Sequence, residues 1–223
     1  MIRFDNVTKT YPAGRDTPVT AINNLSLIVE NGEFLIITGR SGSGKTTLLN
    51  LASGLTRPSA GEVWLDGVEP WYLPDAEQSR LRNQKLGFIF QFPSLIPSLT
   101  VLENVLLPAS FSVQSARQGV NERVVRTLEK VELSDKLNAY PRQLSAGQQQ
   151  RVVIARALIN QPEVLLADEP TSNLDEKTEM EIMDLFRHIH QETGVTIMMV
   201  THTSQLVSFG TRTIGMGHGE IIE

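Results

Sequence analysis

A glycine-rich stretch at residues 39–46, GRSGSGKT, constrains the fold of this chain more than any other feature of its sequence. The stretch matches the pattern G-x-x-x-x-G-K-[ST] at every position. The apolar segment 34–38 before it predicts a buried strand, and the segment 45–53 after it predicts a helix. A strand, a glycine-rich turn and a helix in this order predict an α/β fold that binds phosphate through backbone N–H groups.

Each residue type in this turn suits a nucleotide phosphate. Gly39, Gly42 and Gly44 allow the backbone to wrap closely around phosphate oxygens, and the following helix adds its positive N-terminal end. The ammonium of Lys45 can reach the outer phosphates, and the hydroxyl of Thr46 can bind Mg²⁺. The alternative is a glycine-rich turn that matches the pattern by chance, which in a chain of this length happens about once in a hundred.

A second apolar segment, 164–167, is followed directly by two acids, Asp168 and Glu169. Ligands of an open parallel sheet bind at the C-terminal ends of the strands, so we expect both carboxylates to face the phosphate site. Asp168 suits a Mg²⁺ ligand that acts through water, and Glu169 can polarise the attacking water. Considered alone, the pattern also fits a strand end followed by a solvated acidic turn.

The alternation of strand and helix patterns along the chain predicts the fold class. The predicted strands are 2–8, 19–29, 34–38, 61–65, 87–90, 163–167 and 195–200. The predicted helices are 45–53, 100–107, 120–132, 152–158 and 175–192, and a turn is predicted at 11–14. We expect an α/β P-loop NTPase fold with a largely parallel sheet, an antiparallel β portion at the N-terminal side and an inserted helical lobe. In this single domain, 1–91 and 159–223 would form the nucleotide-binding core and 92–158 the lobe.

Composition disfavours several other classes of protein. The net charge of −5 argues against nucleic-acid binding, which needs clustered Lys and Arg. The absence of cysteine excludes disulfides and thiolate metal sites, and it suits a reducing compartment. No apolar stretch approaches the roughly 20 residues of a membrane helix, and the first residues lack the apolar region of a secretion signal. We expect a soluble, cytoplasmic protein that meets the membrane only through a partner.

A third motif, LSAGQ at 144–148, has two compatible interpretations. Ser145 and Gln148 have the spacing of a capping box at the start of a helix. The same arrangement presents backbone N–H groups at the helix start, where they can bind an anion. The two interpretations do not exclude each other.

In this order, the motifs resemble the ABC-transporter ATPase family over nearly the whole chain. LSAGQ is similar to the family's LSGGQ signature, with Ala146 in place of the first glycine, and PTSNLD at 170–175 resembles the family's D-loop. Gln91 fits its glutamine loop, His202 its switch histidine and Tyr11 the aromatic residue that stacks on adenine. Taken singly, each of these three also fits an ordinary loop or turn residue.

The resemblance implies the residues of an ATP site. The implied catalytic residues are Lys45, Gln91, Glu169 and His202. The implied Mg²⁺ ligands are Thr46, Gln91 and Asp168. The implied ATP-binding residues are Tyr11, Gly39, Arg40, Ser41, Gly42, Ser43, Gly44, Lys45, Thr46, Thr47, Ser145, Gly147 and Gln148.

A finer resemblance concerns the segments 41–50, 93–105 and 166–171, which are similar to the bacterial macrolide-exporter, lipoprotein-release and cell-division ATPases. The family implies a head-to-tail dimer that sandwiches two ATP molecules, with Ser145, Gly147 and Asp175 of one subunit acting in the site of the other, and the branch implies that this dimer is a homodimer of a separate ATPase polypeptide. It also implies a separate integral membrane permease subunit, which selects the substrate, in an export or lipoprotein-release system.

The alternative is a soluble ABC ATPase without a transporter, of the iron–sulfur assembly or DNA repair type. The DNA repair type is disfavoured by the short insertion before the signature, by the absence of zinc-binding cysteines and by the negative charge. A nucleotide-binding regulator that does not hydrolyse ATP is disfavoured because Glu169 and His202 are both present.

The segment 92–99, FPSLIPSL, is apolar, yet its two prolines exclude a regular helix or a central strand. One interpretation is a loop that folds inward over the core. The other is that Phe92, Leu95 and Ile96 line a groove that receives a short helix of the membrane partner.

Overall fold

The computed structural model describes residues 1–13, 16–111 and 119–222, and the chain divides into two compact units. The first unit comprises Met1–Leu81 and Thr196–Glu223, and the second comprises Arg82–Val195. The strands in chain order are β1 (Ile2–Ala13), β2 (Asp16–Val29), β3 (Phe34–Thr38), β4 (Ala60–Leu65), β5 (Leu86–Ile89), β6 (Val164–Asp168), β7 (Thr196–Thr201), β8 (Arg212–Gly217) and β9 (Glu220–Ile221). The α-helices are α1 (Lys45–Ala52), α2 (Asp75–Lys85), α3 (Val101–Ser110), α4 (Val120–Lys130), α5 (Ala146–Leu158) and α6 (Glu176–Thr193).

An antiparallel sheet of the first unit joins three strands in the order β2-β1-β4. Ile2, Phe4 and Val7 of β1 are buried, which places one face of the sheet against the core. The chain turns out of β4 through Asp66 and Gly67, both at positive φ, as a tight two-residue turn requires. The antiparallel portion expected at the N-terminal side is therefore present.

The turn predicted at 11–14 is wrong for residues 11–13, which continue β1. Tyr11 is paired with Val19 of β2, and this ladder extends the strand beyond the predicted end. Pro12 is tolerated because β4 is paired with β1 only as far as Thr8, so this end of β1 is an edge. Gly14 lies outside the described residues.

A second sheet of the first unit places β3 between β7 and β8, parallel to both, and β9 runs antiparallel to β8. All four residues from Phe34 to Ile37 are fully buried, which is typical of a central parallel strand covered on both faces. At the end of β3 the chain enters the glycine-rich stretch and continues as α1, which contacts β2, β4 and β7. This order matches the strand, turn and helix predicted there.

The second unit is centred on α5. This helix contacts α3, α4, α6 and β5, and its residues Val152, Val153, Ile154 and Ala155 are buried. The strands β5 and β6 are paired in parallel, with Leu86 opposite Val164. Thr100 and Glu103 form a capping box that starts α3, and Asp175 caps α6.

The predicted fold class is confirmed: the chain combines parallel strands, an antiparallel N-terminal portion and a helical portion. The subdivision at residues 92 and 158 stays a prediction. In the residues that the structure describes, no helix is both long enough and apolar enough to cross a membrane.

Candidate nucleotide site

The glycine-rich loop leaves no room for side chains at two of its glycines. A Cβ atom at Gly44, where φ is 101°, would lie 2.3 Å from the carbonyl oxygen of Ala21. A Cβ atom at Gly39 would lie 2.4 Å from the carbonyl oxygen of Met216. The loop is therefore wrapped tightly between β2 and β8, and only glycine fits these two positions.

Lys45 is held against this loop by its own ammonium group. The side chain is only 5% exposed, although Lys is rarely buried without partners. Its Nζ atom donates to the carbonyl oxygens of Gly39 at 2.7 Å and Arg40 at 3.1 Å. The carbonyl oxygen of Arg40 also accepts from the N–H of Ser43. The positive charge is thus fixed on the inner side of the loop, where an anionic ligand would lie.

The hydroxyl of Ser43 gives a second indication of an anion site. Its Oγ atom is buried and has no hydrogen-bond partner among the described residues. A buried hydroxyl without a partner is costly, and a phosphate oxygen would accept its hydrogen bond. Among the other predicted loop residues, Arg40, Ser41, Gly42 and Thr46 are exposed and Thr47 is half-buried. The residues present therefore fit a nucleotide phosphate.

His202 lies beside this loop because of the strand register. β3 and β7 are parallel, and Thr38 is paired with Thr201. Gly39 and His202 follow these paired residues directly, so the structure brings the predicted switch histidine to the start of the phosphate loop. His202 is exposed there.

Tyr11 has a neighbour that the sequence did not indicate. It is exposed on β1, and Lys9 Nζ lies 4.9 Å from the centroid of its ring, which is a cation–π contact. Lys9 also donates to the carbonyl oxygen of Arg57 at 2.8 Å. Stacking of Tyr11 on adenine stays a prediction.

The second unit brings Gln91 and Glu169 together. β5 and β6 are parallel, with Ile89 opposite Ala167. Gln91 lies two positions beyond Ile89, and Glu169 lies two positions beyond Ala167. Gln91 Nε2 donates to Glu169 Oε2 at 3.5 Å. The strand register, set by apolar burial, therefore determines which polar residues meet at the strand ends.

The two acids at the end of β6 have different environments. Asp168 is the last residue of the buried strand and is only 8% exposed. Glu169 is half-buried and has a φ of 44°, the left-handed region that non-glycine residues adopt rarely. Its carbonyl oxygen accepts from Ser172 N–H at 3.2 Å, in the turn that follows. A residue in this conformation is held by its surroundings, and such residues cluster at functional sites.

Mg²⁺ prefers oxygen ligands and commonly takes one or two from the protein. Because Gln91 Nε2 donates to Glu169, the amide oxygen of Gln91 is the atom left to bind a cation. The hydroxyl of Thr46 and the carboxylate of Asp168 are also oxygen donors. The donor types at the predicted metal positions therefore fit this ion.

The signature segment forms the capping box that the sequence indicated. Ser145 Oγ accepts from Gln148 N–H at 3.2 Å, and Gln148 Oε1 accepts from Ser145 N–H at 3.0 Å. Ala146 is the first residue of α5, exposed and in helical conformation, so replacement of the family's glycine causes no backbone strain. Gly147 is buried, and a Cβ atom there would lie 2.5 Å from Thr178 Cγ2.

The segment 170–175 contains one functional candidate that the sequence did not single out. Asn173 Nδ2 donates to the carbonyl oxygen of Gln91 at 3.3 Å. Asp175, which the resemblance assigned to the partner's site, accepts from Thr178 N–H at 3.0 Å and from Thr178 Oγ1 at 2.7 Å. These hydrogen bonds, led by that from the Thr178 hydroxyl, lower the pKa of Asp175 below its usual value. Only the tertiary structure shows that Asn173 reaches Gln91.

Comparison with known proteins gives consistent matches. Residues 22–172 match the family described as ABC transporter. The chain is 43% identical to the lipoprotein-releasing system ATP-binding protein LolD 1 of Chlorobium chlorochromatii (strain CaD3), over 99% of this chain and 90% of that protein. It is 41% identical to the macrolide export ATP-binding/permease protein MacB of Rhodopirellula baltica, over 100% of this chain and 33% of that protein.

A solved structure matches over the full length. It is the dimeric structure of a post-hydrolysis state of the ATP-binding cassette MJ0796 bound to ADP and Pi, and the corresponding protein comes from Methanocaldococcus jannaschii. The match has a TM-score of 0.90 at 44% identity and covers 100% of this chain and 97% of that chain.

Proposed function

Because the chain belongs to the ABC transporter family, we propose that it works as a homodimer whose ATP binding and hydrolysis drive a separate membrane subunit. The chain is an ATPase of this family. The observation that carries the proposal is the loop 39–47, in which a buried lysine and a buried serine hydroxyl lie at the start of α1; the hydroxyl has no hydrogen-bond partner in the part of the chain that the structure describes. These groups suit the phosphates of a nucleotide: the ammonium of Lys45 also holds the loop, while the Ser43 hydroxyl is left to donate to a phosphate oxygen.

Binding of ATP uses the loop 39–47. Lys45 and the hydroxyl of Ser43 donate to phosphate oxygens, and the N–H groups at the start of α1 add the positive end of the helix dipole. Lys45 already faces the inner side of the loop, so its charge is positioned before the ligand arrives. Tyr11 stacks on the adenine ring.

Hydrolysis depends on Glu169, which orients the attacking water and accepts its proton. Gln91 donates to this carboxylate and keeps it directed, and His202 donates to the outer phosphate. When bound through Thr46, Asp168 and Gln91, Mg²⁺ would neutralise charge on the outer phosphates as the bond breaks.

A second copy of the chain completes each site. The N–H groups at the start of α5, together with Ser145 and Gly147, contact the ATP bound to the partner. ATP then binds the closed dimer better than the separated subunits, and this difference converts binding into movement. The dimeric cassette at 44% identity supports this assembly.

The membrane partner belongs to an export or lipoprotein-release system. The similarity to the lipoprotein-releasing and macrolide-export proteins supports this assignment. The chain then lies in the cytoplasm, on the inner face of the membrane, and is attached through its partner.

Two measurements test the proposal. The purified chain should release phosphate from Mg-ATP, and a chain co-expressed with an integral membrane subunit of an export or lipoprotein-release system should co-purify with that membrane protein in detergent and show stimulated turnover. Absence of Mg-ATP hydrolysis would contradict the catalytic assignment. Hydrolysis without any association with that membrane protein would favour the soluble alternative.

A further inference from the structure

We propose that Asn173 is a positioning residue for ATP hydrolysis, because its side chain holds the main chain of Gln91 and thereby directs Gln91 toward Glu169. The inference rests on the proposed function, since it takes Glu169 as the residue that acts on the attacking water. Under this proposal, the orientation of the Glu169 carboxylate depends on Asn173 as well as on Gln91.

Three hydrogen bonds form a closed circuit around Glu169. Asn173 Nδ2 donates to the carbonyl oxygen of Gln91 at 3.3 Å. Gln91 Nε2 donates to Glu169 Oε2 at 3.5 Å. Between Glu169 and Asn173 the chain turns, and Ser172 N–H donates to the carbonyl oxygen of Glu169 at 3.2 Å. The turn after the catalytic residue thus returns to the residue that contacts its carboxylate.

Gln91 and Glu169 both lie beyond the ends of their strands, so the strand ladder does not hold either residue in place. Gln91 lies two residues beyond Ile89, the last residue of the β5 ladder, and is exposed. Glu169 lies beyond the last residue of β6 with a φ of 44°. A non-glycine residue keeps a left-handed conformation only where its surroundings hold it. The bond from Asn173 fixes the Gln91 main chain relative to this turn.

The contact requires a hydrogen-bond donor at position 173. The carbonyl oxygen of Gln91 can only accept, so the group that faces it must donate. An Asp side chain has nearly the same shape but presents only acceptors when ionised, and an Ala side chain does not reach. The pair of substitutions Asn173→Ala and Asn173→Asp therefore separates loss of the bond from loss of shape.

A steady-state measurement with the full-length chain and Mg-ATP tests the idea. Both variants should lower kcat about two- to tenfold, the range expected for loss of one ordinary hydrogen bond. KM for ATP should stay within about twofold, because phosphate binding by the loop 39–47 is unaltered. Asn83→Ala is the control: in the same unit it removes an Asn side-chain bond of 2.9 Å to the carbonyl oxygen of Pro108, together with the bond of 3.2 Å that Asn83 Oδ1 accepts from Asn160 Nδ2.

A double-mutant cycle with Glu169→Gln distinguishes positioning from a general structural effect. In the Glu169→Gln background, Asn173→Ala should have little further effect on the residual rate, because the carboxylate that it positions is gone. Equal effects of Asn173→Ala in both backgrounds would overturn the inference. So would a normal kcat for Asn173→Asp, or a loss in Asn83→Ala as large as that in Asn173→Ala. In each of these cases, hydrolysis by the unsubstituted chain leaves the proposed function intact.

Discussion

Lys45 Nζ lies 2.7 Å from the carbonyl oxygen of Gly39, the first residue of the loop 39–47. A buried ammonium needs acceptors, and here they belong to the loop itself. This ammonium supports the loop, and under the proposed function it also binds the phosphates, so its removal should affect both.

We predict that Lys45→Ala abolishes detectable hydrolysis or weakens Mg-ATP binding by at least tenfold. The variant loses a charge-assisted contact with the phosphates and the two hydrogen bonds that fix the loop. Titration with a fluorescent ATP analogue and a phosphate-release assay would measure the two effects. Lys177→Ala, which removes an exposed lysine of α6, should behave like the unsubstituted chain, and normal turnover by Lys45→Ala would contradict the assignment.

Glu169→Gln keeps the size of the side chain and removes its negative charge. We expect turnover to fall by ~10² or more, since a positioned base contributes about that factor. ATP that is bound but not hydrolysed should hold two subunits together, and size-exclusion chromatography with Mg-ATP would show the dimer. Glu163→Gln is the control, because Glu163 precedes the opposite end of β6 and pairs with Lys85. Unchanged turnover, or a monomer at saturating Mg-ATP, would count against the role of Glu169.

The sequence predicted the elements that an apolar pattern marks, whether the pattern is continuous or periodic. β3 and β6 are continuous apolar runs and lie where expected. α2 was not predicted because it has no buried residue, so no apolar face marks it. β8 was also not predicted: two glycines interrupt its pattern, and it forms by pairing with β3.

The candidate site was predictable where a local motif determines it. The phosphate loop and the capping box of α5 depend on neighbouring residues, so the order of residues was sufficient. The bond from Asn173 to Gln91 joins positions 82 residues apart, and the positive φ of Glu169 depends on the turn that follows. Such features arise from tertiary packing and have no local signal.

Ala146 is the position at which the signature departs from its family pattern. Because Ala146 is exposed and helical, Ala146→Gly should change kcat by less than about twofold, since glycine at a helix start mainly adds backbone freedom. Gly147→Ala should change turnover or thermal stability more than Ala146→Gly does, because the added Cβ would lie 2.5 Å from Thr178 Cγ2. Turnover and thermal unfolding of both variants would check this. A tenfold gain for Ala146→Gly would mean that the Ala methyl group obstructs the partner's ATP.

The segment 92–99 is fixed through its backbone. Arg156 donates to the carbonyl oxygen of Ser94 at 2.9 Å, and burial lowers the pKa of this guanidinium. Asn104 is fully buried; it accepts from Ile96 N–H at 2.8 Å and donates to the carbonyl oxygen of Leu99 at 3.0 Å. The loop therefore has a defined shape that does not depend on inward packing of all its apolar side chains.

Phe92 and Ile96 are left 64% and 41% exposed on this fixed loop, and Leu95 is half-buried. Exposed apolar side chains on a rigid support are typical of an interaction site, and we predict that they contact the membrane subunit. Phe92→Ala with Ile96→Ala should weaken that complex by about 2 kcal/mol or more, as expected when buried anchors are truncated. ATP hydrolysis by the isolated chain should survive, while stimulation by the reconstituted membrane subunit should disappear. Tyr72→Ala, which removes an aromatic side chain 72% exposed on the first unit, is the control and should keep full stimulation. If the double variant still binds and responds to the membrane subunit, the docking surface lies elsewhere.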